Sequence, residues 1–304
     1  MEKIYLKSFL ILIFISACSS KSSDEKHTSN NKEFTNEQFN KYWYNNDAEI
    51  TSFQLEQARY GEIHSGKAIM IFVTEPFSKE KQVKVDHPSP KDENVLKLNF
   101  IKNFNTGIYP YSMMTSSFLP LSDLTLPVEK ITSSVQEWCG HVYTQINKKK
   151  KKWKVNSYSY FESEGDQHFE LDLYTLEDEL WSKIKTNPDL LPIGKHQIIP
   201  SLFYLRLMHQ PLKPYQAEIN KTVKNNFVEY TIFYPELDRK LIIHFHSQFP
   251  YLIEGWEELY KSGWGENATY LTTKAKKIKT IKTPYWEKNT VIGSALRDSL
   301  ELEK

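Results

Sequence analysis

The densest cluster of reactive side-chain types in this 304-residue chain is Gln136-Glu137-Trp138-Cys139-Gly140-His141. On a continuous strand, Glu137, Cys139 and His141 would share one face with Tyr143, and Trp138 would point the other way. A thiolate beside an imidazole can act as a nucleophile. Two features oppose that reading. Side chains two apart on a strand run parallel rather than converge, and a free cysteine usually packs as a small apolar residue. The segment Glu162-Ser163-Glu164-Gly165-Asp166-Gln167-His168 gathers three carboxylates and a histidine in a turn. Oxygen ligands suit a hard cation, but the aspartate spacing of a calcium loop is missing. An exposed acidic turn accounts for the same residues. If the flanking strands pair, Glu137 and Glu162 approach each other at one end, and two facing carboxylates could do acid/base work on a glycan. The catalytic candidates are thus Glu137, Cys139, His141 and Glu162.

His244 and His246 stand two apart in a strand-like run, which puts two imidazoles on one face. Such pairs occur in sheet metal sites, with His209 or His168 as a possible third ligand. Two half-exposed histidines are the plainer alternative. Arg59 is one of few arginines in a lysine-rich chain. Its fork suits a carboxylate or phosphate, and equally an internal ion pair with Glu56 or Glu62. With Tyr60, Tyr109, Tyr111 and Trp138 it makes up the ligand-binding candidates. The basic runs 148–154 and 274–282 could meet anionic surfaces. A charged turn and a charged edge strand, which resists sheet-to-sheet aggregation, explain them as well.

The elements that must position these residues read mainly as strands. A helix is expected over 33–44. Period-two runs follow at 49–60 and 67–73 with a turn around 64–66, then at 83–85, 95–104 and 108–119. Runs 135–146 and 153–161 form a hairpin about the lysine turn. The best internal helix is 176–185, with Leu176, Leu180, Trp181 and Ile184 at helical spacing. Strands return at 215–219, 227–234, 241–247 and 270–281, and the C-terminus can end in a short helix. Alternating faces with few helices predict a mainly β fold built on a large curved antiparallel sheet or half-barrel. That shape is similar, by analogy of architecture, to LolA-type lipoprotein carriers. No glycine-rich phosphate loop and no strand–helix–strand alternation is present, which disfavours a nucleotide-binding α/β fold.

The first 17 residues carry Lys3 and Lys7, an apolar run from Phe9 to Ile15, and small residues before Cys18. This is the order of a secretory signal, too short in its apolar part to cross a bilayer core of ~20 helical residues. Ile15-Ser16-Ala17-Cys18 resembles the lipobox of bacterial lipoproteins. That resemblance implies cleavage before Cys18, a diacylglycerol on its sulfur, acylation of the new amino group, and a stable anchor. Residues 18–33 are polar and read as a flexible tether, leaving 34–304 as a single β-rich domain. Ser19 in place of an aspartate favours the outer membrane, and Ser22-Ser23-Asp24-Glu25 loosely resembles an acidic surface-export signal.

Taking Lys3, Lys7 and Glu2 from the 39 basic and 38 acidic residues leaves 37 of each. A neutral body disfavours nucleic acid as a partner. Lipidation of Cys18 would leave Cys139 alone, which rules out an intramolecular disulfide and a cysteine zinc knuckle.

Three stretches taken together, Leu55-Glu56-Gln57-Ala58-Arg59-Tyr60-Gly61-Glu62, Asn105-Thr106-Gly107-Ile108-Tyr109-Pro110-Tyr111-Ser112 and Val135 through Tyr143, resemble a Bacteroidetes-type lipoprotein family over nearly the whole body. Some members carry the name septum formation inhibitor Maf. True Maf proteins are cytosolic nucleotide pyrophosphatases with an α/β fold and a Ser-Pro-Arg-Arg-type motif, and neither feature is found here. The resemblance carries over no active-site residue and no cofactor. The expectation is a non-enzymatic lipoprotein of the cell envelope, anchored in the outer membrane. It would bind an apolar or amphiphilic ligand (a lipid, a glycan) or an envelope protein in the sheet's concavity. An envelope hydrolase or metal-dependent enzyme built on the clusters above is the alternative.

Overall fold

The computed structural model describes residues 37–302; the signal segment, Cys18 and the tether lie outside the described residues, as do the first four residues of the helix expected over 33–44, whose remainder forms a helix at Glu37–Trp43. Helix α1 (Glu37–Trp43) leads into β1 (Ala48–Arg59), β2 (Glu62–Ser78), the two-residue β3 (Val83–Lys84), β4 (Glu93–Thr106) and β5 (Tyr109–Pro120). Then come β6 (Lys130–Glu137), β7 (Gly140–Lys149), β8 (Lys152–Ser159) and β9 (Gln167–Asp172). A short β10 (Thr175–Leu176) runs into α2 (Glu177–Thr186), followed by β11 (Gly194–Ile199) and α3 (Leu202–Leu207). The chain continues through β12 (Tyr215–Lys224), β13 (Phe227–Tyr234), β14 (Arg239–His246), β15 (Ile253–Ser262), β16 (Thr269–Thr283) and α4 (Ala295–Ser299).

All the strands join one open, curved sheet, as the alternation predicts. Its order is β10-β11-β12-β13-β14-β15-β16-β1-β2-β4-β5-β6-β7-β8-β9, with β3 beside β2. Only β10 and β11 run parallel. Most consecutive strands are antiparallel neighbours, and the pairing of β16 with β1 connects the two halves of the chain. The period of two is plain in β4: Leu98, Phe100, Lys102 and Phe104 are buried on the concave face, while Asn99, Ile101, Asn103 and Asn105 face outward.

The concave face is filled by α2 and α3. Helix α2 reads Glu-Asp-Glu-Leu-Trp-Ser-Lys-Ile-Lys-Thr, yet only Lys183 escapes full burial. Trp181 packs edge-on against Phe100 and Trp256, with ring centroids 5.4 and 5.5 Å away. A charged helix can be buried only if its charges are paired or hydrogen-bonded, and each of them is. Glu177 meets Arg239 and the Tyr234 hydroxyl. Asp178 accepts from the Ser201 hydroxyl and the Leu202 N–H at the start of α3. Glu179 accepts from the Val128 N–H and pairs with Lys183. Lys185 donates to Glu49 and to the Pro250 carbonyl. Lys102 is buried nearby, its Nζ 5.3 to 5.5 Å from the ring centres of Phe203, Phe100 and Trp256. Burial pushes its pKa down, against the pull of Glu258. A cavity of about 10 Å³ remains between Lys102, Glu177, Arg239, Trp256 and Glu258, room for one water. The ligand-sized aromatic cavity expected in the concavity is therefore occupied by the protein's own helices.

On the convex face, α4 and the segments around it cover an apolar patch. Leu300, Leu302 and Tyr285 pack against Ala48, Ile50, Ile69, Ile71 and Val73.

Three local expectations are corrected. The first hairpin turns at Tyr60-Gly61, and residues 64–66 lie inside β2. The expected strand 135–146 is split by a turn at Trp138-Cys139 into β6 and β7. The basic run 274–282 lies on β16, an interior strand between β15 and β1. Its lysines 274 and 276 point outward while Thr273 and Ala275 are buried, so alternation alone accommodates them.

Candidate functional site

Hairpin connectivity brings six turns to the same end of the sheet, the β13–β14 turn at Tyr234↔Arg239 and five that follow along it. These five are the β15–β16, β1–β2, β4–β5, β6–β7 and β8–β9 turns, whose strands are bounded there by the pairs Ser262↔Thr269, Arg59↔Glu62, Thr106↔Tyr109, Glu137↔Gly140 and Ser157↔Gln167. Four of the five present a large exposed apolar side chain: Trp264 (63 %), Ile108 (84 %), Trp138 (68 %) and Tyr160 (76 %). The fifth carries Tyr60.

The aromatic rings form an arc along this end. Tyr60 packs on Trp264 at 5.0 Å. Its hydroxyl bonds to that of Tyr111 at 2.7 Å and accepts from Tyr109 at 3.2 Å. Tyr109 stacks near Trp138 at 6.3 Å. Past the next turn, Tyr160 lies against Gly140, where an added Cβ would come within 2.9 Å of the ring, and Tyr160 contacts Phe161. Tyr60 holds φ at +57° and Gly61 at +81°, the pattern of a two-residue hairpin turn. A bulky residue is an outlier there, where Asn or Gly is the usual choice. Burial raises the Tyr60 pKa, so its hydroxyl stays protonated and available as a donor.

Two arginines lie beneath the arc. Arg59, 5 % exposed, donates to the Leu207 carbonyl and to the Tyr60 hydroxyl, and its guanidinium carbon sits 4.2 Å from the Tyr60 ring centre. Neither Glu56 nor Glu62 pairs with it; among the described residues no carboxylate lies within 4.0 Å of its guanidinium. Arg206, on α3, lies over Phe161 at 4.1 Å and faces Glu137 at 3.6 Å and Glu164 at 3.7 Å. Burial pushes the Arg206 pKa down; Glu164 opposes that shift and the Arg59 charge adds to it. His209 Nδ1 sits 2.7 Å from Glu164. Burial alone would raise the Glu164 pKa, but His209, Ser159 and Arg206 hold it below the usual range.

The ligand-binding candidates Arg59, Tyr60, Tyr109, Tyr111 and Trp138 thus meet in one place. The catalytic candidates are brought together only in part. Glu137 is committed: one oxygen accepts from the Cys139 N–H at 2.6 Å and the other faces Arg206. Cys139 is exposed at the tip of its turn, and its thiol pKa is pushed up by the hydrogen bond and charge of Glu137. His141 lies on β7 opposite Gln136, with its side chain exposed. Glu162 is an exposed turn residue, and the second carboxylate at Arg206 is Glu164. His246 pairs with Glu254 at 2.7 Å and His244 approaches Glu257 at 3.9 Å. Among the described residues no group of three or more His, Cys, Asp or Glu side chains is arranged to hold a metal. A separate groove of about 350 Å³ runs on the convex face beside α4, lined by Ser65, Lys67, Asn103, Tyr111 and Ser112.

Sequence reading missed Arg206 and Trp264 at this site, and in the acidic turn it singled out Glu162 rather than Glu164. They come from turns and a six-residue helix with little periodicity, and only the tertiary fold brings them to Arg59. Comparison with protein-family models, with curated proteins and with solved structures finds no match.

Proposed function

We propose that the protein is a non-enzymatic lipoprotein of the outer membrane that binds an amphiphilic ligand on the aromatic arc at the end of its sheet. The observation that carries this reading is the set of exposed side chains Trp264, Ile108, Trp138 and Tyr160 on hairpin turns at one end. Exposed apolar side chains grouped in this way are costly in water and mark binding surfaces. Tyr and Trp combine an apolar body with a polar tip, which suits a ligand that is itself part apolar and part polar. With the concavity filled by α2 and α3, the arc takes over the role first expected of the interior. The lipid anchor at Cys18, read from the lipobox, would keep the domain in the envelope, where amphiphiles are abundant.

The test is calorimetric titration of the full chain carrying C18S, which removes the acylation site, with dodecyl maltoside below its micellar concentration. Saturable binding is expected, and the double variant W138A/W264A should weaken it at least tenfold. Absent binding, or equal affinity in the variant, would reject the reading.

A further inference from the structure

A cation that is 95 % shielded from water and, among the described residues, touches no carboxylate needs an explanation. Arg59 is such a cation. Its contacts are neutral: the Leu207 carbonyl, the Tyr60 hydroxyl, and the rings of Tyr60, Tyr111 and Trp264 at 4.2, 5.8 and 5.9 Å. Its Nε finds no acceptor among the described residues. Burying a charge is expensive unless it is paired and fully hydrogen-bonded. The neighbouring carboxylates Glu137 and Glu164 contact Arg206. Tyr60, whose ring lies over the guanidinium, is held in the left-handed region that a tyrosine rarely adopts. Strain of this kind persists only where the surroundings impose it.

We infer that Arg59, with the hydroxyls of Tyr60 and Tyr109, forms the subsite for the anionic group, a phosphate or carboxylate, of the ligand that lies on the aromatic arc. The inference rests on the binding reading above and adds the chemistry of the head group. Arginine presents several donors in a planar fork that matches such oxygens. Tyrosine hydroxyls beside it add donors at the height of the arc. The surrounding turns carry exposed Glu62, Glu162, Asp166 and Glu266. General electrostatic attraction of anions to this end is therefore weak, and selectivity for an anion has to be local. Entry of the anionic group requires the Tyr60 ring to shift from its place over the guanidinium.

The experiment compares dodecyl phosphate, dodecyl maltoside and inorganic phosphate as ligands of the full chain carrying C18S. Dodecyl phosphate should bind at least tenfold more tightly than dodecyl maltoside. R59Q should abolish that preference, so that the variant binds dodecyl phosphate no more tightly than it binds dodecyl maltoside. R59K, which keeps the charge but loses the fork, should retain part of the preference. Should R59Q fail to fold, R59K and the double variant Y60F/Y109F serve instead, each with an expected loss of several-fold in the preference. Inorganic phosphate binding as tightly as dodecyl phosphate would assign the subsite to a free anion; at least tenfold weaker binding would assign it to a head group. Equal affinity of the wild type for the two amphiphiles overturns the inference while leaving the arc in place. A preference that survives all of the variants does the same. Loss of maltoside binding in W138A/W264A reports on the arc alone, so the two readings can fail separately.

Discussion

Arg239 grips Glu177 with two parallel hydrogen bonds, Nη1 to Oε2 at 2.5 Å and Nη2 to Oε1 at 2.7 Å, at the centre of the filled concavity. The same guanidinium donates from Nε to Glu258 at 2.7 Å, and its carbon lies 4.3 Å from the centre of the Tyr204 ring. One residue thus ties the first turn of α2 to β14 and β15. Removing one partner of a buried pair leaves the other charge uncompensated and costs about 3–5 kcal/mol. R239M should lower stability by that amount, because Glu177 and Glu258 both lose their cation. Urea denaturation at pH 7 measures it, and a loss below about 1 kcal/mol would contradict this account of the core.

Asp178 has the opposite kind of neighbourhood. Burial, first of all, raises its pKa from 3.8 to about 6, with the charge of Glu177 adding and the bonds from Leu202 and Ser201 opposing. The folded protein therefore holds this proton more tightly than the unfolded chain. Between about pH 4 and pH 6 the folded state carries the extra proton, so this contribution to stability is present at pH 4 and is lost as pH rises. The loss from pH 4 to pH 7 is about 2 kcal/mol. D178N does not titrate, so its stability relative to wild type should improve by about that much from pH 4 to pH 7. Denaturant midpoints across this range give the answer, and a constant difference between the two proteins would refute it.

Alternation made the sheet legible, because a residue facing a packed interior must differ from one facing water, and β4 shows this from Leu98 to Thr106. The helix over 176–185 was legible from Leu180, Trp181 and Ile184. That its charged face would also be buried was not, since the partners of Glu177 and Lys185 lie 62 residues ahead at Arg239 and 136 behind at Glu49. At the candidate site, Arg59, Tyr60, Tyr109, Tyr111 and Trp138 could be singled out by residue type. The turn that carries Trp138 and Cys139 could not, because Gly140 gives no clear turn signal in a run that otherwise alternates. Arg206 was invisible for the same reason as Arg239: long-range pairing leaves no mark on local sequence.

Gly255 marks the irregularity between β14 and β15, where the register shifts at His244/Phe245. Its φ is +154°, and an added Cβ would lie 2.1 Å from the Ala275 carbonyl oxygen on β16. No side-chain rotation can relieve a clash with backbone. G255A should therefore cost about 3 kcal/mol, the range of steric and strain effects at special backbone positions. Thermal unfolding of the variant measures this. A loss within 0.5 kcal/mol would mean that the two strands can separate there without penalty.

Cys139 provides the most direct test of nucleophilic chemistry at the rim. The hydrogen bond and the charge of Glu137 push its thiol pKa up, with Arg206 opposing. A raised pKa means less thiolate at pH 8, and the thiolate is the reactive form. Iodoacetamide should therefore modify Cys139 more slowly than it modifies a free cysteine, although the residue is exposed. E137Q removes the negative charge, lowers the pKa and should speed alkylation several-fold. H141A should leave the rate unchanged, because His141 is displaced from the thiol by the turn at Trp138-Cys139. Mass-spectrometric time courses at pH 8 separate these outcomes. A wild-type rate above that of free cysteine, slowed by H141A, would instead restore the Cys139–His141 pair as an activated nucleophile.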